Sequence, residues 1–275
     1  MDQELITVIA QTFVRDSPFN YIRQDLALEP RLAGLKIFEE PLFAYGRADE
    51  RLFEDLKKPQ SIGPHFMLPR EWLPGANTVI SYFFPFTAEL KQSNCLNRTW
   101  PSNEWLHGRI EGQQFLNEFT KLLNLKLNEA GYLSLVPTMD QRFWSVTNET
   151  TGYSFTSNWS ERHVGFVCGL GTFGLSKGLI TSKGMAGRLG SIVTALELTP
   201  TVRTYHDLYE NCSGCGACIG QCPVQAITRE AGKIHKPCSD FLNQTLEKHH
   251  PRYGCGKCQV MVPCESRIPV KSHST

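Results

Sequence analysis

The sequence predicts an α/β domain of about 200 residues followed by a small cysteine-rich module. Three observations predict this arrangement. The apolar run TVISYFF at 78–84 is rich in β-forming residues, and residues 103–130 carry apolar side chains at helical spacing. Eight of the ten cysteines fall between residues 212 and 264. We therefore place one domain at 1–204 and the cysteine-rich module at 205–275.

The first half of the chain alternates helical, irregular and strand-like segments. Residues 1–25 predict a helix from their 3.6-residue periodicity, and residues 30–75 predict irregular structure because six prolines interrupt them. The run at 78–84 predicts a buried strand. Residues 103–130 predict a long helix that Gly131 caps.

The second half of the domain is predicted to be strand-rich and unusually rich in glycine. A short strand is expected at 132–136 and another at 191–198. Between them, residues 163–200 combine glycines with interleaved apolar residues. The approximate doubling of cysteine motifs is the only internal repetition that the sequence indicates.

Composition and charge exclude several classes of protein. The chain of 275 residues is 41% hydrophobic and 20% charged, which is typical of a globular protein rather than a disordered one. Its net charge of +1 gives no support for nucleic-acid binding through bulk electrostatics. No apolar run is long enough to span a bilayer, and the acidic start lacks an export signal. We therefore expect a cytoplasmic protein with no membrane partner.

The strongest motif is a run of four cysteines followed by a proline. Cys212-x2-Cys215-x2-Cys218-x3-Cys222-Pro223 has the spacing with which bacterial ferredoxins bind a [4Fe-4S] cluster. Three thiolates on a tight loop can surround one face of the cluster, and the longer last step turns the fourth thiolate toward a second cluster. The small residues inside the loop allow backbone N–H groups to approach the cluster sulfurs.

A second set of cysteines supplies the four further ligands that two clusters need. By the crossed arrangement, one cluster takes three cysteines of the first run and one distant cysteine, and the other takes the rest. The predicted sets are Cys212, Cys215, Cys218 and Cys264, and Cys222, Cys238, Cys255 and Cys258. The cysteines after Cys222 depart from the ferredoxin pattern, because five residues separate Cys258 from Cys264 and Pro263 precedes Cys264.

Zinc binding and disulfide formation are the alternatives for these cysteines. Zinc sites favour four ligands in two pairs, which the four-cysteine run fits poorly. Disulfide frameworks belong to exported proteins, and no export signal is evident here. Cys95 and Cys168 stand alone and are expected to be buried, inert thiols.

The glycine-rich stretch allows three interpretations. Gly169-Leu-Gly171-Thr-Phe-Gly174 matches the dinucleotide-binding pattern G-x-G-x-x-G, but the residues after Gly174 contain too many glycines to form the helix on which a pyrophosphate would lie. A tight turn without a ligand is the second interpretation. The third, which we favour, is a loop whose backbone lies against a large, flat cofactor.

Taken together, these motifs resemble a known family. Glu161-Arg162, the run Gly169–Thr181, Cys212–Pro223, Cys238 and Arg252–Gln259 occur in this order. The series resembles the cobalamin-dependent iron–sulfur reductases, namely epoxyqueuosine reductase and, more distantly, the reductive dehalogenases. The resemblance is clear from about residue 155 to 265 and holds only in outline before that.

The resemblance implies a nitroreductase-like cobalamin-binding domain followed by a ferredoxin-like module with two [4Fe-4S] clusters. The glycine-rich stretch would then line the corrin. The implied cofactor-binding residues are Gly169, Gly171, Thr172, Phe173, Gly174, Ser176, Lys177, Gly178, Met185, Gly187, Arg188 and Ser191.

Two departures from the family bear on the substrate. Epoxyqueuosine reductases place an aspartate six residues before the Glu-Arg pair as proton donor, and this chain has Phe155 there. We therefore predict Tyr153 and Glu161 as the catalytic acids. Those enzymes also carry C-terminal helical repeats that contribute to tRNA binding, whereas this chain has 11 residues after Cys264 (275 − 264). We expect no nucleic-acid partner.

The sequence thus predicts a reductase in which two clusters pass single electrons to a bound corrinoid that reduces a small molecule. A low-potential donor of the ferredoxin or flavodoxin type would supply the electrons. The alternative is an electron-transfer or corrinoid-handling protein that serves another corrinoid protein. A flavin reductase is a third possibility, because nitroreductase-like folds commonly hold FMN.

Overall fold

The structure is a computed structural model that describes residues 1–149 and 152–271. Its helices are α1 Gln3–Asp16, α2 Arg51–Leu56, α3 Pro69–Trp72, α4 Ala88–Ser93, α5 Asn103–Glu129, α6 Glu161–Cys168, α7 Ala217–Gln221 and α8 His235–His249. Its strands are β1 Leu42–Arg47, β2 Thr78–Pro85, β3 Ser134–Leu135, β4 Ser145–Glu149, β5 Ser154–Ser157, β6 Gly171–Phe173, β7 Leu179–Thr181, β8 Gly187–Thr194, β9 Ile227–Thr228 and β10 Gly232–Lys233. Short 3-10 turns occupy Pro18–Asn20, Pro30–Leu32, Pro137–Met139 and Lys257–Gln259.

The core is a four-stranded antiparallel sheet with the order β1-β2-β8-β3. Every residue of β2 is buried, because helices cover both faces of the sheet. Tyr82 and Phe84 pack with Phe119 of α5 on one face, while Val79 and Phe83 join the cluster of buried residues that contains α6 on the other. The central strand β2 therefore reads as a nearly continuous apolar run, as the sequence indicated.

The long helix α5 agrees with its prediction at both ends. The Ser102 hydroxyl accepts a hydrogen bond from the backbone N–H of Trp105 at 3.1 Å and begins the helix. Gly131 follows the helix with φ +86°, a conformation that glycine adopts without steric cost.

Other boundaries differ from the predictions. The first helix ends at Asp16 rather than near residue 25, because Pro18 starts a 3-10 turn. Residues 30–75 are not irregular throughout, since they contain β1, α2 and α3. The last strand of the sheet lies at Gly187–Thr194 rather than 191–198, and the strand expected at 132–136 is reduced to Ser134–Leu135.

The cysteine-rich module packs directly on the α/β part. The backbone N–H of Phe173 donates to the Leu208 carbonyl at 2.8 Å, and that of Asn211 donates to the Thr172 hydroxyl at 2.7 Å. Arg252 forms a two-pronged ion pair with Glu111 of α5, at 2.5 Å for each oxygen. These bonds cross the boundary proposed at 204/205, which stays a prediction. In the described part of the chain, no helix has the length and apolar character needed to cross a bilayer.

Candidate functional site

The structure brings the first predicted set of cysteines around one small cavity. Three of them come from the loop before α7 and from its first turn, and Cys264 arrives from the far end of the chain. The cavity is lined by Cys212, Cys215, Cys218 and Cys264 together with Ser176, Val262 and other small or apolar residues. Burial, and to a lesser extent the other three cysteines, raises the pKa of the Cys264 thiol to about 12.

Cys264 reaches this group although its spacing departs from the ferredoxin pattern. The turn that carries it docks on the segment between β7 and β8, where the backbone N–H of Met185 donates to the Cys264 carbonyl at 3.0 Å. Gly184, with φ +77°, allows this approach, because a Cβ there would collide with the Glu265 carbonyl. Docking against a distant loop therefore compensates for the irregular spacing.

The second predicted set surrounds a different cavity of about 190 Å³, which is lined by Cys222, Cys238, Cys255 and Cys258. Cys238 lies on α8 and Cys258 in the 3-10 turn Lys257–Gln259. Because α7 carries Cys218 and ends just before Cys222, this one short helix connects the two cysteine groups. Each of the two cavities is thus lined by the four cysteines of one predicted set, and their role as cluster ligands stays a prediction.

The structure does not show the disulfide alternative, because all ten cysteines are free. Within residues 1–149 and 152–271, no three or more His, Cys, Asp or Glu side chains converge closely enough to hold a single metal ion. Of the two isolated thiols, Cys168 is buried, as expected, and Cys95 is half-buried rather than buried.

A buried lysine next to the second group fits a negatively charged occupant. Lys257 is 2% exposed, and its ammonium donates to the backbone carbonyl of Asn94 at 2.6 Å and to the side-chain oxygen of Asn94 at 3.0 Å. Both acceptors are neutral, so the lysine has no carboxylate partner among the described residues. A buried charge of this kind is costly unless an opposite charge lies nearby. Four thiolates around iron supply that charge, so the residues present fit an iron–sulfur cluster.

A large cavity of about 880 Å³ lies between the α/β part and α8. Phe155, Phe166 and Phe173 give it apolar walls, and Cys238 of the second cysteine group contributes to the same lining. Its size is at the upper end of the range for small-molecule and cofactor sites. The cavity therefore adjoins the place where the second cluster would bind.

The twelve predicted cofactor-binding residues are divided among several sites. Phe173 and Lys177 line the large cavity. Gly174 and Ser176 line the cavity of the first cysteine group, and Gly187 and Arg188 line that of the second. The remaining six line none of these three cavities: Gly169, Gly171, Thr172, Gly178, Met185 and Ser191.

The structure gives the glycines of the glycine-rich stretch a different role from the one that we expected. We expected them to make room for a flat ring, but the space next to several of them is filled by protein atoms. A Cβ on Gly187 would collide with the Phe84 carbonyl of the paired strand and with the Phe83 ring. The β6–β7 hairpin occupies the segment in which the dinucleotide interpretation requires a helix, so that interpretation is wrong.

The two predicted catalytic acids are not in the lining of the large cavity. Tyr153 is 46% exposed and packs against His65 and Trp144, with ring centroids 4.9 and 5.0 Å away. One oxygen of the Glu161 carboxylate is buried without a hydrogen-bond partner, and burial raises the pKa of this group to about 7. Ser191 and Trp159 lie against it, so Glu161 faces the sheet rather than the cavity.

The titratable groups that do line the cavity are not among the predicted catalytic residues. His163 accepts or donates a hydrogen bond with Ser160 at 2.8 Å and packs on the Phe173 ring at 4.9 Å. Burial lowers the pKa of His163 and of His235 to about 4 in each case, so both imidazoles are neutral near pH 7. Tyr209 also lines the cavity. His235 lies one helical turn before Cys238, and that spacing was the available sequence signal.

Comparisons with known proteins identify the class to which this arrangement is similar. Residues 207–228 match a protein-family model described as a 4Fe-4S binding domain. The fold resembles that of a reductive dehalogenase described as carrying out B12-dependent dehalogenation, with a TM-score of 0.53, 14% identity, and coverage of 83% of this chain and 30% of that one.

More particularly, the chain is similar to epoxyqueuosine reductases. It is 24% identical over 271 residues to that of Bacillus cereus, covering 95% of this chain and 62% of the relative, and 22% identical over 214 residues to that of Cellulophaga algicola, covering 71% and 60%. The epoxyqueuosine reductase structure from Streptococcus thermophilus matches with a TM-score of 0.50, 19% identity, and coverage of 83% and 64%. The chain spans about three fifths of the length of these curated relatives.

These findings confirm the resemblance and the fold class that the sequence predicted. The iron–sulfur part of the cofactor prediction agrees with them, because the matched family model describes 4Fe-4S binding. The individual site residues, the domain boundary and the partners stay predictions.

Proposed function

We propose that this chain is a cobalamin- and iron–sulfur-dependent reductase of a small molecule. One observation carries the proposal. Cys238 belongs to the second cysteine group and also lines the 880 Å³ cavity, so a cluster bound there adjoins whatever occupies the cavity. A cofactor site that shares a lining residue with a cluster site is close enough for the cluster to deliver single electrons to the cofactor.

The two cysteine groups would hold the two clusters and define an electron path. Cys215 is exposed, which makes the first group the accessible end for a low-potential protein donor of the ferredoxin or flavodoxin type. Cys218 and Cys222, at the start and just beyond the end of α7, belong to different groups and keep the two groups adjacent. The second group then lies between the donor side and the large cavity.

The large cavity is the site for cobalamin in this proposal. Cobalamin supplies a strongly reducing cobalt centre when it is bound. The rings of Phe155, Phe166 and Phe173 would cover it and exclude water. His163 and His235, both neutral near pH 7, and Tyr209 are the chain's own candidates to hold or pass a proton there, in place of Tyr153 and Glu161.

Anaerobic reconstitution tests this function directly. The protein is loaded with iron and sulfide, offered hydroxocobalamin or FMN, desalted and examined by absorption spectroscopy. We expect retention of one corrinoid per chain and no flavin. Phe173→Ala should weaken corrinoid retention, whereas Phe13→Ala, which alters an aromatic contact with α5 away from the cavity, should not. Retention of flavin alone would overturn the cobalamin assignment.

An electron-transfer or corrinoid-handling role is the second candidate. It is favoured by Phe155, which takes the place of the expected acid and stacks on His235 at 5.3 Å. Reoxidation of the reduced, corrinoid-loaded protein by small molecules supports the reductase, and transfer only to another corrinoid protein supports the second candidate. A tRNA stem loop with epoxyqueuosine belongs among the substrates offered, because the similar enzymes are named for that nucleoside.

A further inference from the structure

The inner end of the large cavity gathers three cationic side chains around one imidazole. The Lys177 ammonium lies 3.5 Å from Nε2 of His235, and an Arg162 guanidinium nitrogen donates to the Lys177 carbonyl at 2.7 Å. Lys233 lies in the same lining. Lys177, Lys233 and Arg162 all act electrostatically on His235, so the four side chains form one cluster.

No acid balances this cluster among the described residues of the cavity wall. Asp55 is the one carboxylate in the lining, and it pairs with Lys58 at 2.5 Å. Arg162, Lys177 and Lys233 take part in none of the ion pairs within the described ranges. Gathering like charges in a partly buried wall is unfavourable unless an anion binds between them.

The pKa shifts of Lys177 and Arg162 also reflect the charges around these side chains. Burial lowers the pKa of Lys177, and the neighbouring Lys233 and Arg162 lower it further. The thiols of Cys258 and Cys238 act on Arg162 in the opposite direction. An iron–sulfur cluster at the second cysteine group, whose lining includes Lys233, would therefore balance Arg162 and Lys233 in part, while Lys177 remains without an anionic neighbour of that kind.

We propose that Lys177, Lys233 and Arg162 form an oxyanion site, which binds a phosphate or carboxylate group of the molecule held in the cavity. Lysine and arginine donate charge-assisted hydrogen bonds to such groups, and a cavity with apolar walls strengthens them. The inference deepens the proposed function and rests on it for the identity of the bound molecule. The prediction that a free oxyanion binds to these three side chains does not depend on the proposed function.

Calorimetric titration of the iron–sulfur-loaded protein with inorganic phosphate at low salt tests the site. Lys177→Gln should weaken phosphate binding about tenfold, because it removes one charge-assisted hydrogen bond, and a tenfold change corresponds to about 1.4 kcal/mol. Lys58→Gln is the matched control, since Lys58 lines the same cavity but is paired with Asp55. Equal phosphate affinity in the wild type, Lys177→Gln and Lys58→Gln would overturn the proposal.

A second pair of titrations distinguishes the source of the oxyanion. Cobalamin carries a phosphate in its nucleotide tail, and cobinamide lacks it. If Lys177→Gln weakens the binding of cobalamin but not of cobinamide, the site holds the phosphate of the cofactor. If phosphate still binds to the cobalamin-loaded protein, the site holds an anionic substrate. Phosphate binding by a protein that rejects every corrinoid would support this site and refute the proposed function.

Discussion

Glu161 shows how far a single residue can depart from the role that its sequence position implies. Its neighbour Arg162 reaches the large cavity, whereas the Glu161 carboxylate is buried near Ser191 and Trp159. Because burial disfavours the charged form, its pKa rises from 4.5 to about 7. The folded protein therefore binds a proton there more tightly than the unfolded chain does.

This shift predicts a pH dependence of stability with a definite sign. The raised pKa favours folding at low pH, and the stability is lost as the pH rises from about 4.5 to about 7. The loss is on the order of 3 kcal/mol for a shift of this size. Glu161→Gln should remove that part of the pH dependence in urea unfolding measured between pH 5 and 8. Glu197→Gln, at an exposed position, is the control, and a pH profile for Glu161→Gln that matches the wild type would contradict the assignment.

Phe155 is a second residue whose position could not be derived from the pattern. It has φ +52°, which is uncommon for a bulky residue, and its ring stacks on His235. The family resemblance leads us to expect an acid at this position. Because the chain has phenylalanine there, we predicted Tyr153 as the replacement acid. Tyr153 precedes β5 and Phe155 lies within it, where the pairing with β4 shifts register, so the direction of the two side chains could not be derived from their spacing alone.

At the scale of elements, the sequence predicted what is local. The spacing of Cys212, Cys215, Cys218 and Cys222 encodes a loop and one short helix, and the structure places these cysteines accordingly. The contribution of α8 to the cavity could not be predicted, because it depends on how this helix packs against β4. The glycines of β8 were misinterpreted for the same reason, since close contact with β2 is a property of the pairing and not of one segment.

The two cysteine groups differ in the charges around them. Arg109, Arg188 and Lys233 line the second cavity, and Lys257 is buried beside it. Within the described residues, no charged side chain lines the first cavity. Because positive charge stabilises the reduced, more negative cluster, we expect the second cluster to have the higher reduction potential. Electrons would then reside next to the large cavity.

Removal of one of these charges tests the asymmetry. Lys257→Met should lower the reduction potential of the second cluster, on the order of 50–100 mV for a buried charge at short range. The potential of the first cluster should change much less. Redox titration followed by electron paramagnetic resonance measures both. Lys248→Met, which removes a cation stacked on Trp100, is the control. Unchanged potentials in Lys257→Met would show that the lysine does not act on the cluster.

At the scale of the whole molecule, a buried ionic network joins the cysteine-rich module to the α/β part. The Glu111 carboxylate on α5 accepts a hydrogen bond from each of two Arg252 guanidinium nitrogens and is hydrogen-bonded to His107 at 3.0 Å. These partners lower the pKa of Glu111 to about 2, although burial alone would raise it. The sequence predicted an α/β domain followed by a cysteine-rich module, and this division stays a prediction. The sequence did not indicate this connection, because the residues involved are separated by 141 positions.

The central claim is that eight cysteines hold two four-iron clusters beside a cofactor cavity. Iron analysis of the anaerobically reconstituted protein and its variants tests it most directly. We predict about eight iron atoms per chain in the wild type and in Cys168→Ala, and about four in Cys258→Ala, because each cubane contains four irons. A wild-type chain that binds zinc or no iron, or a Cys258→Ala variant that keeps all its iron, would contradict the account.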